Sequence, residues 1–394
     1  MGSSVDALTS HLGRLGLVDP PQNALLFKPN SNQRSICQGL TDVPLYLFRL
    51  HTSKSPGTLD KEWARSLDAD AGLRERSETD ILERKDVRDV AEDISAHLWW
   101  KPRPRCHDNF VSWTSSPLLA LRYAYYRHHK DVLPLEEIKL CIVRTNDFEP
   151  GTFLRDAYLF DYYSQHDPPV PGVDPRYSKS LTDMKNLRDR FYYFGEYLSQ
   201  GALNIKEKCS IVSMDKLAKA GLLDLLPELD DETASWEWAK WVWKQRDKGK
   251  SFGDGDWEKV KKIASLFEPG FRVPMAAALV SLKPGAVAES PTESTLIRKI
   301  YELSRSESYQ MAEIANRIVP DVVDREPCRG SERNTKMLDD RMPEVRRFQE
   351  VLANLAGFAK KRKEMKERRL RTAVIPEENL GQHHGPSQKV EEAE

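Results

Sequence analysis

No run of 18 apolar residues occurs anywhere in the chain, and the first thirty residues lack a basic segment followed by an apolar one. Neither a membrane-spanning helix nor a secretory leader is expected, so the protein reads as intracellular, cytoplasmic or nuclear, with no membrane partner. Met1-Gly2 opens like a myristoylation site, but position 6 is Asp where that pattern needs Ser or Thr, which discounts a lipid anchor. Cysteine is sparse. Its five copies, at 37, 106, 141, 209 and 328, form no C-x-x-C pair and have no His at ligand spacing. They read as reduced thiols, and no metal site is expected. Net charge is also lacking: 60 basic residues against 61 acidic ones give −1, so any attraction to nucleic acid must be local. The G-x-G-x-x-G, G-x-x-x-x-G-K-[ST], H-E-x-x-H and G-x-S-x-G motifs are all missing, which removes the enzyme classes that depend on them.

What the chain does have is aromatic mass. Nine Trp, 13 Tyr and 13 Phe in 394 residues supply a sizeable core and imply more than one domain. After a lead-in over residues 1–41 with Pro20-Pro21, the first dense apolar run is Val43 to Leu50, of strand type. Val87, Val90, Ala91, Ile94 and Leu98 recur at helical spacing and predict an amphipathic helix ending before Pro102. Asn109 to Trp113 reads as a strand, followed by a helix from Pro117 to His128 with Ser116 as its cap. Glu137 to Thr145 is a third strand. The Pro- and Tyr-rich stretch from Phe148 to Tyr177 reads as a long loop. Glu196 to Leu203 and Cys209 to Met214 are two further strands, and Asp215 to Leu226 closes the unit as a short helix or turn.

Composition changes at the acidic hinge Pro227 to Glu232. Beyond it Trp236, Trp238, Trp241, Val242 and Trp243 predict a largely buried helix, and helical periodicity returns over Trp257 to Phe267, Glu293 to Ile318 and Met342 to Arg371, with breaks at Pro274 and Pro284. The expected organisation is a lead-in (1–41), an α+β domain (42–229), an all-helical accessory region (233–372) and a polar, disordered tail (373–394).

Three elements carry candidate chemistry: Arg49 near the end of a strand (YLFRLHT), the hydroxyl cluster Ser112 to Ser116 (SWTSS), and Glu196 at the start of a strand (GEYLSQGAL). Arg49 offers a planar fork suited to a pyrophosphate or ribose, or it pairs with a carboxylate at the sheet edge. The hydroxyls either meet a ligand or cap the helix. Glu196 is either a preorganised charge or an exposed strand residue.

In that order the three resemble the Arg, Ser-Thr-Ser, Glu signature of the ADP-ribosyltransferase superfamily, over about Val43 to Pro227. The phrase also looks like an uncharacterised domain family of filamentous fungi. The superfamily resemblance implies a split β-sheet that brings the three strands together around NAD, which is consumed as a substrate. Arg49, Ser112 and Glu196 are then the catalytic residues. Arg49, Ser112, Thr114, Ser115 and Tyr162 contact the dinucleotide, Tyr162 sharing a run with Phe160 and Tyr163 that either stacks on nicotinamide or packs. Two departures stand out. Phe194 occupies the position, two before the Glu, where families that modify protein arginine carry Glu or Gln. Trp113 replaces the middle Thr if Ser112 is the hydroxyl that matters.

The resemblance implies NAD-dependent ADP-ribosyl transfer or NAD glycohydrolysis on an unknown acceptor. The alternatives are an inactive binding module of the same fold and an interaction protein in which the three residues never meet. Elsewhere, His107, His128, His129 and His166 lack partners at ligand spacing and read as solvated. Lys360 to Arg371 holds eight basic and two acidic residues in twelve and reads as a nucleic-acid contact, a nuclear localisation signal or a solvated helical face.

Overall fold

The computed structural model describes residues 24–100, 107–169, 171–174, 178–190, 193–231, 238–246, 252–253, 255–283, 291–303 and 342–373. Its centre is a six-stranded antiparallel sheet in the order β6-β7-β4-β1-β5-β9, made of β1 (Tyr46–His51), β4 (Phe110–Thr114), β5 (Lys139–Arg144), β6 (Leu154–Arg155), β7 (Glu196–Gln200) and β9 (Cys209–Ser213). A small second sheet, β2 (Thr58–Leu59), β3 (Trp63–Arg65) and β8 (Ala202–Asn204), stands beside it. The architecture is α+β, as expected.

Glu196 to Leu203 is not one strand. Gly201, at φ +61°, breaks it so that β7 joins the large sheet and β8 the small one. A side chain there would put its Cβ 2.4 Å from the Ser77 carbonyl oxygen, so only glycine fits the bend.

Period-2 alternation sorts the β1 side chains. Tyr46 and Phe48 enter the core shared with the helices beyond residue 237, whereas Leu47 enters the opposite core with Val111, Trp113, Val143 and Tyr197. β1 and β5 pair along six residues, yet β1 and β4 register only at Phe48↔Thr114. The ladder between β1 and β4 is that single pair, and Arg49 follows it directly.

Helix α1 (Val87–Leu98), capped by Asp86, packs Val90, Ala91, Ile94 and Leu98 against Phe110 and Leu198. α2 (Pro117–Asp131) begins as the sequence predicts: Ser116 accepts from Leu119 N, and Pro117 fills the first turn, where its missing N–H costs nothing. The stretch expected to be a long loop instead holds β6, α3 (Asp156–Tyr163) and, beyond it, α4 (Leu181–Arg190). In α3, Tyr158, Leu159, Phe160 and Tyr163 are all buried, so it is apolar on most of its surface and has no amphipathic stripe to betray it.

The described residues after 237 are helical in α5 (Trp238–Arg246), α6 (Asp256–Ala264), α7 (Pro269–Ser281), α8 (Pro291–Leu303) and α9 (Pro343–Ala373). Pro274 lies inside α7 and does not interrupt it. Trp241 and Val242 of α5 are buried, while the side chains of Trp236, Trp238 and Trp243 lie outside the described residues, as do residues 374–394.

The acidic hinge marks a change of secondary structure and not a break in the core. One apolar cluster runs from Tyr46, Phe48 and Leu121 through Leu226 to Val260, Ala276, Phe348 and Leu355. The Phe348 ring lies 6.1 Å from those of both Tyr46 and Phe48. Arg122, fully buried in α2, donates to the carbonyls of Leu229 (2.6 Å) and Asp231 (2.8 Å) and stacks over Trp241 at 4.9 Å. The hinge is stitched to both sides.

Candidate functional site

Arg49, Ser112 and Glu196 stand on the adjacent strands β1, β4 and β7. The register Ser112↔Leu198 and Thr114↔Glu196 turns the Ser112 and Glu196 side chains to the same face of the sheet. Ser112 Oγ lies 2.8 Å from Glu196 Oε1, a hydroxyl donating to a carboxylate. Arg49 reaches from β1 to β4 and donates from Nη1 to the Ser112 carbonyl at 2.9 Å. Ser112 and Glu196 thus meet through their side chains, whereas Arg49 meets only the main chain of Ser112 and lies with Trp113 on the Leu47 side of β1.

Arg49 is 7% exposed and, among the described residues, forms no ion pair and leaves its Nε buried without a hydrogen-bond partner. The Trp113 ring lies 5.9 Å from the guanidinium, and Cys141, Asp108 and Tyr123 are near enough to act on its charge. Burial pushes its pKa down to about 10, still a cation at neutral pH. A buried guanidinium whose Nε lacks a hydrogen-bond partner is costly to leave unmatched.

Glu196 is held from the other side. Arg188, on α4, donates from Nη2 to Glu196 Oε2 and from Nε to Asp156 Oδ2 at 3.1 Å. Asp156, at the start of α3, is wholly buried, and its Oδ1 has no partner. Burial, joined by the Glu196 charge and opposed by Arg188 and Arg155, pushes its carboxyl up to about 7.

A second set of side chains meets the same hydroxyl. His97 Nε2 lies 2.7 Å from Ser112 Oγ, and His97 Nδ1 lies 2.7 Å from Asp108 Oδ2. Asp108 is fixed in turn: its Oδ1 accepts from Phe110 N at 3.0 Å, and its own N–H donates to Asp68 Oδ1 at 2.8 Å. His97 falls seven residues after Val90 and three after Ile94, on the apolar stripe of α1. A polar residue on that stripe is the signal that could have found it. Arg188 carries no comparable mark, being one of several charged residues in a polar helix.

Thr114 and Ser115, expected to touch the dinucleotide, are buried and turned toward the segment before β7. Thr114 Oγ1 donates to the Phe194 carbonyl at 2.6 Å, and Ser115 N–H donates to the Gly195 carbonyl at 2.8 Å. They anchor the start of β7. Gly195, at φ +61°, passes so close that a Cβ there would lie 2.0 Å from Ser115 Oγ. Tyr162 is also elsewhere: its ring meets Tyr163 and His166 at the apolar layer under α1, and no interaction links it to Arg49, Ser112 or Glu196. Three histidines outside the site have local partners, His128 with the Leu133 carbonyl, His129 with Asp230 and His107 with Asp68.

Residues 42–179 match the family model described as Domain of unknown function (DUF7587). The DUF7587 match takes in Arg49, His97, Asp108, Ser112 and Asp156, and ends before Arg188 and Glu196. It covers well under half of the chain. No curated protein and no solved structure matches the sequence. Among the described residues, no group of three or more His, Cys, Asp or Glu is placed to hold a metal ion, and no helix is long and apolar enough to cross a membrane.

Proposed function

We propose that the chain cleaves the nicotinamide to ribose bond of NAD and passes ADP-ribose to an acceptor or to water. The observation that carries this reading is that Arg49, Ser112 and Glu196 stand on three neighbouring strands, with the Ser112 hydroxyl on the Glu196 carboxylate and the buried Arg49 guanidinium on the Ser112 carbonyl. In that arrangement Arg49 binds the pyrophosphate or the adjoining ribose through its unused donors. Ser112 orients the Glu196 carboxylate. Glu196 faces the ribose carbon that gains positive charge as nicotinamide leaves, and a charge held fixed before reaction stabilises that centre without reorganisation. Phe194 packs under the Arg188 guanidinium at 5.0 Å, at the position where arginine-modifying families carry Glu or Gln, so protein arginine is not the favoured acceptor.

The test is incubation of the full chain with labelled NAD, with and without a cell lysate, in parallel with Glu196→Gln and Arg49→Lys. The parent should release nicotinamide. Glu196→Gln should lose on the order of 10²-fold or more in rate, and Arg49→Lys should bind NAD more weakly, because a point charge does not replace a planar fork. Neither exchange should unfold the protein. A parent that binds NAD without consuming it would leave the same site as a nucleotide-binding module, and a parent that does neither would sink the reading.

A further inference from the structure

Three short contacts join four side chains in a line: Asp108 Oδ2 to His97 Nδ1 (2.7 Å), His97 Nε2 to Ser112 Oγ (2.7 Å) and Ser112 Oγ to Glu196 Oε1 (2.8 Å). Each contact can hold a hydrogen. A neutral imidazole and a serine hydroxyl supply two between them, and ionised Asp108 and Glu196 supply none. Before turnover Ser112 donates to Glu196 and the bare Nε2 of His97 faces the hydroxyl oxygen; the third hydrogen arrives as one proton taken up by the four groups together. It has two low-energy places. With the proton on Glu196, the carboxyl donates to Ser112 and Ser112 donates to neutral His97. With the proton on His97, the imidazolium donates to Ser112 and Ser112 donates to the Glu196 carboxylate. The two states interconvert by moving two hydrogens across Ser112, with no movement of heavy atoms.

We infer that His97 and Asp108 form, through Ser112, a proton relay that empties Glu196 during turnover. The inference rests on the proposed NAD cleavage. In that reaction the bond between the ribose C1 and the nicotinamide nitrogen breaks, and its electron pair leaves with the neutral nicotinamide. The acceptor X–H then forms the new C1–X bond and must lose its proton. Glu196 takes that proton, Ser112 hands its own hydrogen to His97 Nε2 while receiving one from Glu196, and His97 is left as an imidazolium facing Asp108. The products are ADP-ribosyl–X, nicotinamide and one proton on His97, which passes to solvent by way of the Asp108 side, where that carboxylate is 13% exposed. Glu196 regains the negative charge that the next cleavage needs.

Among the described residues, charges face the relay from both ends, and at the Asp108 end Asp68 stands with its partners Arg76 and His107. Arg49 on β1 lies close enough to feel Asp108, Arg188 on α4 pairs with Glu196, and Asp156 on α3 shares Arg188. Arg49 and Arg188 flank the Ser112 and Glu196 end, and Asp108 faces the far nitrogen of His97, so the field along the line favours passage of a proton from Glu196 toward His97. A nucleophilic role for Ser112 fits less well, because an oxyanion formed there would meet the Glu196 carboxylate at hydrogen-bonding distance.

His97 acts through Ser112 and is a positioning residue, so its test needs a readout that packing alone would not move. In the full chain, His97→Gln keeps hydrogen-bonding capacity but cannot take a proton. Its kcat for NAD cleavage should fall about 10²-fold with KM little changed, and the pH–rate profile should lose one limb. Ser112→Ala, with His97 intact, should produce the same loss, and the double variant should lose no more than either alone. Independently of turnover, the nitrogen-15 NMR titration curve of the His97 imidazole should shift to lower pH in Glu196→Gln, and Ser112→Ala should weaken that dependence. A folded His97→Gln with unchanged kcat and pH profile would overturn the relay, as would a His97 titration curve identical in the parent and in Glu196→Gln. Absence of NAD turnover in the parent would strike the proposed function alone, since the NMR titration still decides whether a proton is shared between His97 and Glu196.

Discussion

Ser116 and Glu344 meet although 228 residues separate them: Ser116 Oγ donates to Glu344 Oε1 at 2.6 Å, with both residues buried. The same hydroxyl accepts from Leu119 N and so caps α2. A single oxygen thus ends the hydroxyl cluster, begins a helix of the sheet domain and receives the first turn of the last described helix.

Ser116→Ala should destabilise the protein by about 3 kcal/mol, the sum of a lost helix cap and a lost hydrogen bond to a buried carboxylate. Urea unfolding measures it. A loss below 1 kcal/mol would mean that Glu344 finds other partners without cost.

A chain ending at Asp231 should not melt cooperatively. Removing α5 to α9 uncovers Tyr46, Phe48, Leu118 and Leu121 and strips the cover from the core cluster they share with Phe348. Calorimetry on that fragment beside the full chain checks it; a sharp transition near the full-length melting temperature would show that the sheet domain is self-sufficient after all.

Asp156 predicts a pH dependence with a definite sign. Its carboxyl is raised from 3.8 to about 7 in the fold, so between those values the folded chain holds a proton that the unfolded chain has released. The stability that this proton confers is complete below about pH 4 and is lost as pH rises through about 7. The groups facing Asp156 are Arg188, Glu196 and Arg155. Asp156→Asn stays neutral throughout and should flatten this part of the profile. A parent whose unfolding free energy does not decline between pH 5 and 7 relative to that variant would show the carboxyl to be ionised in the fold.

Much of this was legible from residue order. β1, β4 and β7 carry their Arg, Ser and Glu where strand-type runs place them, α1 spans the residues that its periodicity marks, and Ser116-Pro117 opens α2 as cap and first turn. What escaped had no local signature. β2, β3 and β6 are two or three residues long, too short for alternation to register. α3 is buried on most sides and reads like an aromatic loop. Pro274 looks like a stop because a helix interior normally rejects proline, yet it sits one turn into α7, where Val273 to Val280 are all buried and tertiary packing outweighs the local preference. Thr114 and Ser115 were expected to face a ligand because hydroxyls in a row invite it, whereas the chain turns them onto the carbonyls of Phe194 and Gly195. The pairings of His97 with Asp108 and of Arg188 with Asp156 depend on distant elements meeting, which no short window of sequence records.

The order of synthesis gives the Met342 to Val345 segment a temporal meaning. A side chain at Gly195 would meet Met342 Cε at 3.1 Å, and Tyr193, Met342 and Val345 form a cluster of their own beside the segment that introduces Glu196. A chain emerging from the ribosome has already made Arg49, Ser112 and Glu196, but it cannot brace Gly195 or bond Ser116 to Glu344 until α9 has begun to appear. Loop closure over that many residues comes late in folding. The residues that define the site are among the earlier ones translated, and the contacts that hold them in register are among the last, so a chain interrupted before α9 holds the parts of the site without its final arrangement.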